Sequence, residues 1–211
     1  MKCSAFYSFI FIFILSNMSF GQAKISRYTP KDQQFEKTIE DTGNPVHGTP
    51  VLIVNYFSPK TGSYLWYLNQ NKSTMKGAIT DNAYDLYSGI YLEDHGGLLE
   101  QITFKDFAGI LSQPNYLLDY CLVEDKDKDG NPEFYLTYFM DSDGLDEKPL
   151  KVIVYTKKGK KITKAKVTAW IPFQPEDKYR IEKDEHFNKL PLSIQKKALS
   201  LLKEIKQRKI I

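Results

Sequence analysis

The segment of residues 125–133 contains carboxylates at a spacing that suits a hard cation. Its sequence, DKDKDGNPE, has aspartates at positions 1, 3 and 5, a glycine at position 6 and a glutamate at position 9. Alternate residues of a tight loop turn their side chains toward one centre, and a glycine permits the sharp reversal. The backbone carbonyl at position 7 can add a further oxygen. This acidic loop, residues 125–133, therefore predicts a structural Ca²⁺ site with the ligands Asp125, Asp127, Asp129, Asn131 and Glu133.

Two other interpretations of the acidic loop have to be weighed against a cation site between strands. An EF-hand needs flanking helices and a bidentate acid at position 12, but position 12 is Leu136, in a run with strand character. An EF-hand is therefore rejected, and the loop is predicted to join two strands. A solvated acidic turn stays open as the alternative, with Lys126 and Lys128 partly offsetting four carboxylates that would otherwise repel one another.

Catalytic motifs are absent from the sequence. It has three histidines and lacks the H-E-x-x-H, G-x-S-x-G and G-x-G-x-x-G patterns as well as a phosphate loop. Cys121 lies in an apolar run, which indicates a buried, inert thiol. The sequence therefore favours a non-enzymatic protein with no catalytic residues. The alternative is a hydrolase or transferase that acts on polysaccharide with paired carboxylates.

Charge and aromatic content indicate which partners the protein could have. A net charge of +3 on 211 residues does not indicate a nucleic-acid binder. Residues 148–166 contain eight lysines and no acid, which would attract an acidic glycan, unless they are only the solvated face of a hairpin. A second group would be a sugar-stacking platform if exposed, although core packing is the default. It consists of Tyr64, Trp66, Tyr67, Tyr84, Tyr87 and Tyr91.

The first 21 residues have the pattern of a secretory signal peptide. Lys2 precedes an apolar stretch at residues 6–15, and Ser19 and Gly21 are small residues at positions −3 and −1 of a cleavage site. Ten residues span about 15 Å as a helix, half of the hydrocarbon layer, so no transmembrane anchor is expected after cleavage. The protein is predicted to be exported to the periplasm, or to the outer-membrane or extracellular surface, of a Gram-negative bacterium.

The remaining chain predicts a mainly β protein of the α+β class, an antiparallel β-sheet meander with a C-terminal amphipathic helix. Residues 22–50 are polar and rich in turn residues, which predicts an extended leader with a strand or short helix near residues 34–39. Residues 51–211 predict a single β-rich domain. Within it, residues 191–207 predict a helix, because apolar side chains recur there with helical spacing.

Motifs in the second half of the chain resemble those of known proteins. The D-x-D-x-D-G-x-x-E loop resembles loops of FG-GAP and related β-propeller repeats, although one clear copy does not predict a propeller. Together with the P-L-K-V-I-V-Y strand at residues 149–155 and the helix after Leu190-Pro191, it looks like a family of small exported Gram-negative bacterial proteins associated with surface-polysaccharide biosynthesis. This resemblance covers about residues 115–205. It implies a role at the cell envelope and no catalytic residue. A further hypothesis, independent of the resemblance, is a protein–protein interaction module that docks on another envelope protein through its basic strand pair and its C-terminal helix.

Overall fold

Two antiparallel sheets form the body of the protein. The computed structural model describes residues 23–73, 83–107, 112–142, 144–159 and 161–211, and the predicted signal peptide, residues 1–21, lies outside these ranges. Within them, eleven strands form two sheets that pack face to face, with one helix on the outer face of the first sheet and two on that of the second. The prediction of a mainly β protein with a C-terminal helix is confirmed.

The first sheet is a five-stranded meander in which each strand pairs with the next one along the chain. Its strands are β1 (Lys24–Tyr28), β2 (Thr49–Ser58), β3 (Gly62–Ser73), β4 (Ala83–Asp94) and β5 (Gly97–Asp106). Helix α1 (Gln33–Thr42) covers the outer face of this sheet, because Phe35 is buried against Ile53 and Tyr67.

The segment predicted to be an extended leader, residues 22–50, contributes β1 and α1 to this sheet and its cover. Phe35 and Ile39 are four residues apart, so a single turn of helix is enough to place both on the sheet. From β1, the Arg27 guanidinium donates hydrogen bonds to the backbone carbonyls of Leu118, at 2.7 Å, and Cys121. The residues that follow the predicted signal peptide therefore also link the first sheet to the second half of the chain.

The second sheet has the order β11-β10-β9-β8-β6, and the short β7 also pairs with β8. Its strands are β6 (Ser112–Tyr116), β7 (Leu122–Glu124), β8 (Glu133–Ser142), β9 (Lys148–Lys158), β10 (Lys161–Ile171) and β11 (Arg180–Lys183). The short α2 (Glu185–Asn188) and the long α3 (Leu192–Arg208) follow. The apolar stripe of α3 packs on the outer face of this sheet, where Ala198 and Leu202 lie in one core with Val152 and Val167.

The core between the sheets explains the apolar runs in the sequence. Trp66 of β3 and Phe134 of β8 meet edge to face with their ring centroids 5.6 Å apart. Strands β2, β3 and β9 are covered on both faces, so their sequences contain continuous apolar runs instead of alternating apolar and polar residues. In β10, by contrast, Val167 is buried beneath α3 while Lys164 and Lys166 are exposed, which produces the alternation.

Candidate metal site

The acidic loop joins two strands of the second sheet. Strands β7 and β8 are antiparallel neighbours, and their last pair, Glu124 and Glu133, stands at the base of the loop. Leu136, at position 12 of the motif, is a buried residue of β8 in the core between the sheets. The prediction that the loop lies between strands, and not between the helices of an EF-hand, is confirmed.

The side chains of the loop converge on one point. One carboxylate oxygen from each of four residues lies within 4.8 Å of the other three. The residues are Asp125, Asp127, Asp129 and Glu133. Two oxygens bound to one Ca²⁺ at about 2.4 Å can be at most about 4.8 Å apart. The four carboxylates therefore form a cluster that can hold a metal ion.

Hydrogen bonds within the loop fix the orientation of its aspartates. The Asp125 Oδ2 atom accepts a hydrogen bond from the Gly130 amide at 3.0 Å, and Asp127 Oδ1 accepts one from the Asp129 amide at 3.1 Å. Asp129 in turn accepts hydrogen bonds from the backbone amide of Asn131 at 2.7 Å and from its side-chain amide at 3.1 Å. The Asn131 side chain is thus held by Asp129, which leaves its backbone carbonyl as the predicted ligand.

Two buried oxygens make the cluster electrostatically costly without a cation. The Asp125 Oδ1 atom is buried and has no hydrogen-bond partner. Glu133 is only 2% exposed, and its Oε2 atom accepts a hydrogen bond from the Lys126 amide at 2.6 Å. Burial, together with the negative charge of the nearby aspartates, raises the pKa of Glu133 to about 8. Since a buried carboxylate needs a positive partner, the cluster has the charge that a bound cation would neutralise.

Residues from distant parts of the chain hold the acidic loop in place. From the turn between β2 and β3, the Lys60 ammonium donates a hydrogen bond to the backbone carbonyl of Asp129. From α3, the Lys197 ammonium pairs with Glu124 at 2.5 Å, at the base of the loop. Neither lysine could be predicted from the sequence, because nothing near residues 60 or 197 indicates a contact with a loop more than sixty residues away. The loop therefore lies where the first sheet, the second sheet and α3 meet.

Substituting Gly130 by alanine is expected to destabilise the protein by about 1–2 kcal/mol, because Gly130 has a φ of +85° that only glycine adopts without strain. The new Cβ would also collide with the Lys60 side chain and disturb its contact with the loop. Urea denaturation measures the loss. Gly96→Ala is the matched control, because Gly96 has a φ of +81° and nothing within 4 Å of the added Cβ. Equal losses for the two variants would contradict a role for the Lys60 contact.

Other candidate residues from the sequence lie in the core. Tyr64, Trp66, Tyr67 and Tyr91 are buried, so these four rings pack the core and do not form an exposed sugar-stacking platform. Tyr87 is half-buried, and the side chain of Tyr84 lies outside the described part.

The lone cysteine of the described residues is also a core residue. The Cys121 side chain is fully buried, and its Sγ donates a hydrogen bond to the Thr137 carbonyl at 3.4 Å. Burial raises the pKa of the thiol to about 12, so at neutral pH it is protonated and a poor nucleophile. The prediction of a buried, inert thiol is confirmed.

The lysine-rich segment, residues 148–166, divides into paired and unpaired side chains. Lys148 pairs with Asp141 at 2.9 Å and Lys151 with Asp106 at 3.2 Å, and Lys157 donates a hydrogen bond to the Tyr64 hydroxyl at 2.6 Å. Four other lysines are exposed. They are Lys158, Lys161, Lys164 and Lys166. The positive surface therefore lies at the turn between β9 and β10 and along β10, while Lys160 lies outside the described residues.

Comparison with known proteins gives no relative from which a function could be transferred: no family model, no curated protein and no solved structure matches the chain. Among the residues that the structure describes, no helix is both long enough and apolar enough to cross a membrane.

Proposed function

We propose that the acidic loop binds one Ca²⁺ ion and that this ion has a structural role. The observation that carries the proposal is the position of Glu133, a carboxylate that is 98% buried and lies among three aspartates. In the described part of the chain, no lysine or arginine forms an ion pair with Glu133. A buried carboxylate in this position is stabilised by a bound cation or by a proton.

The ligand set favours Ca²⁺ over other common metals. All four side chains offer oxygen, with no imidazole or thiolate among them, which excludes the usual ligand sets of zinc and copper. Mg²⁺ binds oxygen at about 2.1 Å, so its ligands must lie within about 4.2 Å of one another. The four oxygens lie within 4.8 Å of one another, which the longer Ca²⁺–oxygen distance accommodates without contraction of the loop.

The expected effect of the ion is to fasten the loop to its three neighbours. A neutralised cluster removes the repulsion among the carboxylates, so the Asp129 carbonyl stays in reach of Lys60 and the base of the loop stays against Lys197. The proposed role is therefore stabilisation of the junction between the two sheets and α3, without catalysis.

For the wider setting we propose a non-enzymatic protein of the cell envelope, linked to the production or binding of surface polysaccharide. Support for export comes from the pattern of the first 21 residues, and support for the polysaccharide link comes from the resemblance over residues 115–205. An envelope protein is the alternative partner, and the polysaccharide-acting enzyme stays an alternative prediction.

Calorimetric titration with Ca²⁺ tests the proposal. We expect one ion per chain, and Asp127→Asn should weaken binding about tenfold, since one charged ligand of the cluster is lost while the amide keeps the shape of the side chain. Asp119→Asn, which neutralises an exposed aspartate outside the loop, is the matched control. Absence of Ca²⁺ binding, or an equal affinity of Asp127→Asn and the unmodified protein, would contradict the proposal.

A further inference from the structure

A cavity of about 440 Å³ opens beside the acidic loop. Asp127, Asp129 and Glu133 line it. Other lining residues come from the β9–β10 hairpin and from the connection between α2 and α3. They include Thr156, Lys158, Thr163, Lys164, Pro191 and Ile194. The volume is in the range of small-molecule sites, and three of the four cluster carboxylates are in contact with the cavity.

The lysines that line the cavity differ in what they already bind. Lys157 is engaged by the Tyr64 hydroxyl, and Lys189 pairs with Glu185 at 2.5 Å. Lys158 and Lys164 are exposed, and among the described residues neither forms an ion pair. Two of the lysines that line the cavity therefore have ammonium groups available to an anion.

The ion proposed for the loop would have coordination positions left for a ligand. Ca²⁺ takes six to eight oxygens, whereas four carboxylates that give one oxygen each and the Asn131 carbonyl supply five. Since Asp127, Asp129 and Glu133 line the cavity, an ion held among them can be reached from the cavity. This step rests on the proposed Ca²⁺ site.

We propose that the cavity binds a carboxylate-bearing sugar whose carboxylate completes the coordination of the Ca²⁺ ion. Lys158 and Lys164 add attraction for the negative charge. The hydroxyls of Thr156 and Thr163, which lie 3.2 Å apart, provide donors and acceptors for sugar hydroxyls. Pro191, which is exposed, provides apolar contact for the carbon atoms of a sugar ring. A free phosphate would use the charges but not this mixed lining.

The dependence on Ca²⁺ follows from the charges. Without the ion, the carboxylates on one side of the cavity repel an anionic sugar. With the ion, the same side carries a cation with open coordination positions, so the sugar and the ion bind cooperatively. Ca²⁺ should therefore tighten binding of the sugar, and by linkage the sugar should tighten binding of Ca²⁺ by the same factor.

Titration of the full chain with digalacturonate, with chemical-shift changes of the protein as the NMR readout, tests this inference. In saturating Ca²⁺ we expect binding that is at least about tenfold tighter than in EDTA, and Lys158→Ala combined with Lys164→Ala should weaken it about tenfold. Lys166→Ala is the matched control, because Lys166 lies two residues further along β10, is exposed and does not line the cavity. The neutral disaccharide lactose should not bind.

The outcomes separate this inference from the Ca²⁺ proposal. If Ca²⁺ binds and digalacturonate does not, the sugar site is wrong and the structural Ca²⁺ site stands. If inorganic phosphate binds as tightly as digalacturonate, the cavity is a general anion site and the inference is overturned. If Ca²⁺ itself does not bind, the proposed function is wrong. If digalacturonate binds equally well in EDTA, the ion does not bridge the sugar and the protein, and this inference is overturned. Loss of binding in Lys158→Ala/Lys164→Ala but not in Lys166→Ala supports the inference.

Discussion

Saturating Ca²⁺ is expected to raise the melting temperature of the protein by about 5–10 °C above its value in EDTA. An ion that binds only the folded chain stabilises it by about 2.7 kcal/mol at one hundred times the dissociation constant. For a chain of 211 residues, each kcal/mol corresponds to about 2–4 °C. Differential scanning calorimetry with matched ionic strength measures the shift directly, because ionic strength also screens the repulsion within the cluster.

Two controls separate a specific ion from general screening of charge. Asp127→Asn combined with Asp129→Asn replaces two carboxylate ligands by neutral amides and should abolish most of the Ca²⁺-dependent shift, while Asp119→Asn should retain it. Mg²⁺ at the same concentration should give a smaller shift, because Mg²⁺ requires shorter metal–oxygen distances and a near-ideal octahedral geometry. Equal shifts with Ca²⁺ and Mg²⁺, or no shift with either ion, would contradict a Ca²⁺ site.

The sequence predicted the parts of this fold that depend on local patterns. Helical spacing placed α3 at residues 191–207, and the structure has it at Leu192–Arg208. The acidic loop was predictable because all its carboxylates lie within nine residues, and short loops bring alternate side chains together without help from the rest of the chain. Strand character on both sides of the loop was equally local, and β7 and β8 confirm it.

Features that depend on contacts between distant residues could not be predicted. An apolar run such as β3 indicates burial on both faces, but it does not say that one face meets a second sheet and the other meets α1. The Pro- and Gly-rich residues around α1 concealed a short stripe formed by Phe35 and Ile39. The contacts of Lys60 and Lys197 with the loop and its base also arise only after the sheets and α3 have packed.

The burial of Glu133 is the property of the site that the sequence indicated least. By position it is the ninth residue of a polar loop, yet it is also the first residue of β8. Its strand position places it on the side of the sheet where Glu124 pairs with Lys197 of α3. Among the described residues, Glu133 is thus the only buried acid, although its position in a polar loop suggests a solvated side chain.

Replacing Glu133 by glutamine should therefore have opposite effects with and without Ca²⁺. The folded pKa of Glu133 is raised from 4.5 to about 8, so the folded chain binds a proton more tightly than the unfolded chain. In EDTA, this contribution to stability is complete below about pH 4.5 and is lost as the pH rises to about 8. The loss is at most about 1.4 kcal/mol for each pH unit. Glutamine cannot ionise, so Glu133→Gln lacks this loss.

At pH 8.5 in EDTA, the Glu133→Gln variant is thus expected to be more stable than the unmodified protein, whereas in saturating Ca²⁺ it should be less stable because one anionic ligand is missing. Urea denaturation from pH 5 to 9 with and without Ca²⁺ measures both effects. Glu176→Gln, at an exposed position, controls for the loss of one charge. The reversal of sign is the decisive result. If the loop were a solvated acidic turn, Glu133→Gln and the unmodified protein would have nearly equal stability in EDTA. If Glu133 did not bind the ion, Ca²⁺ would stabilise the two proteins equally.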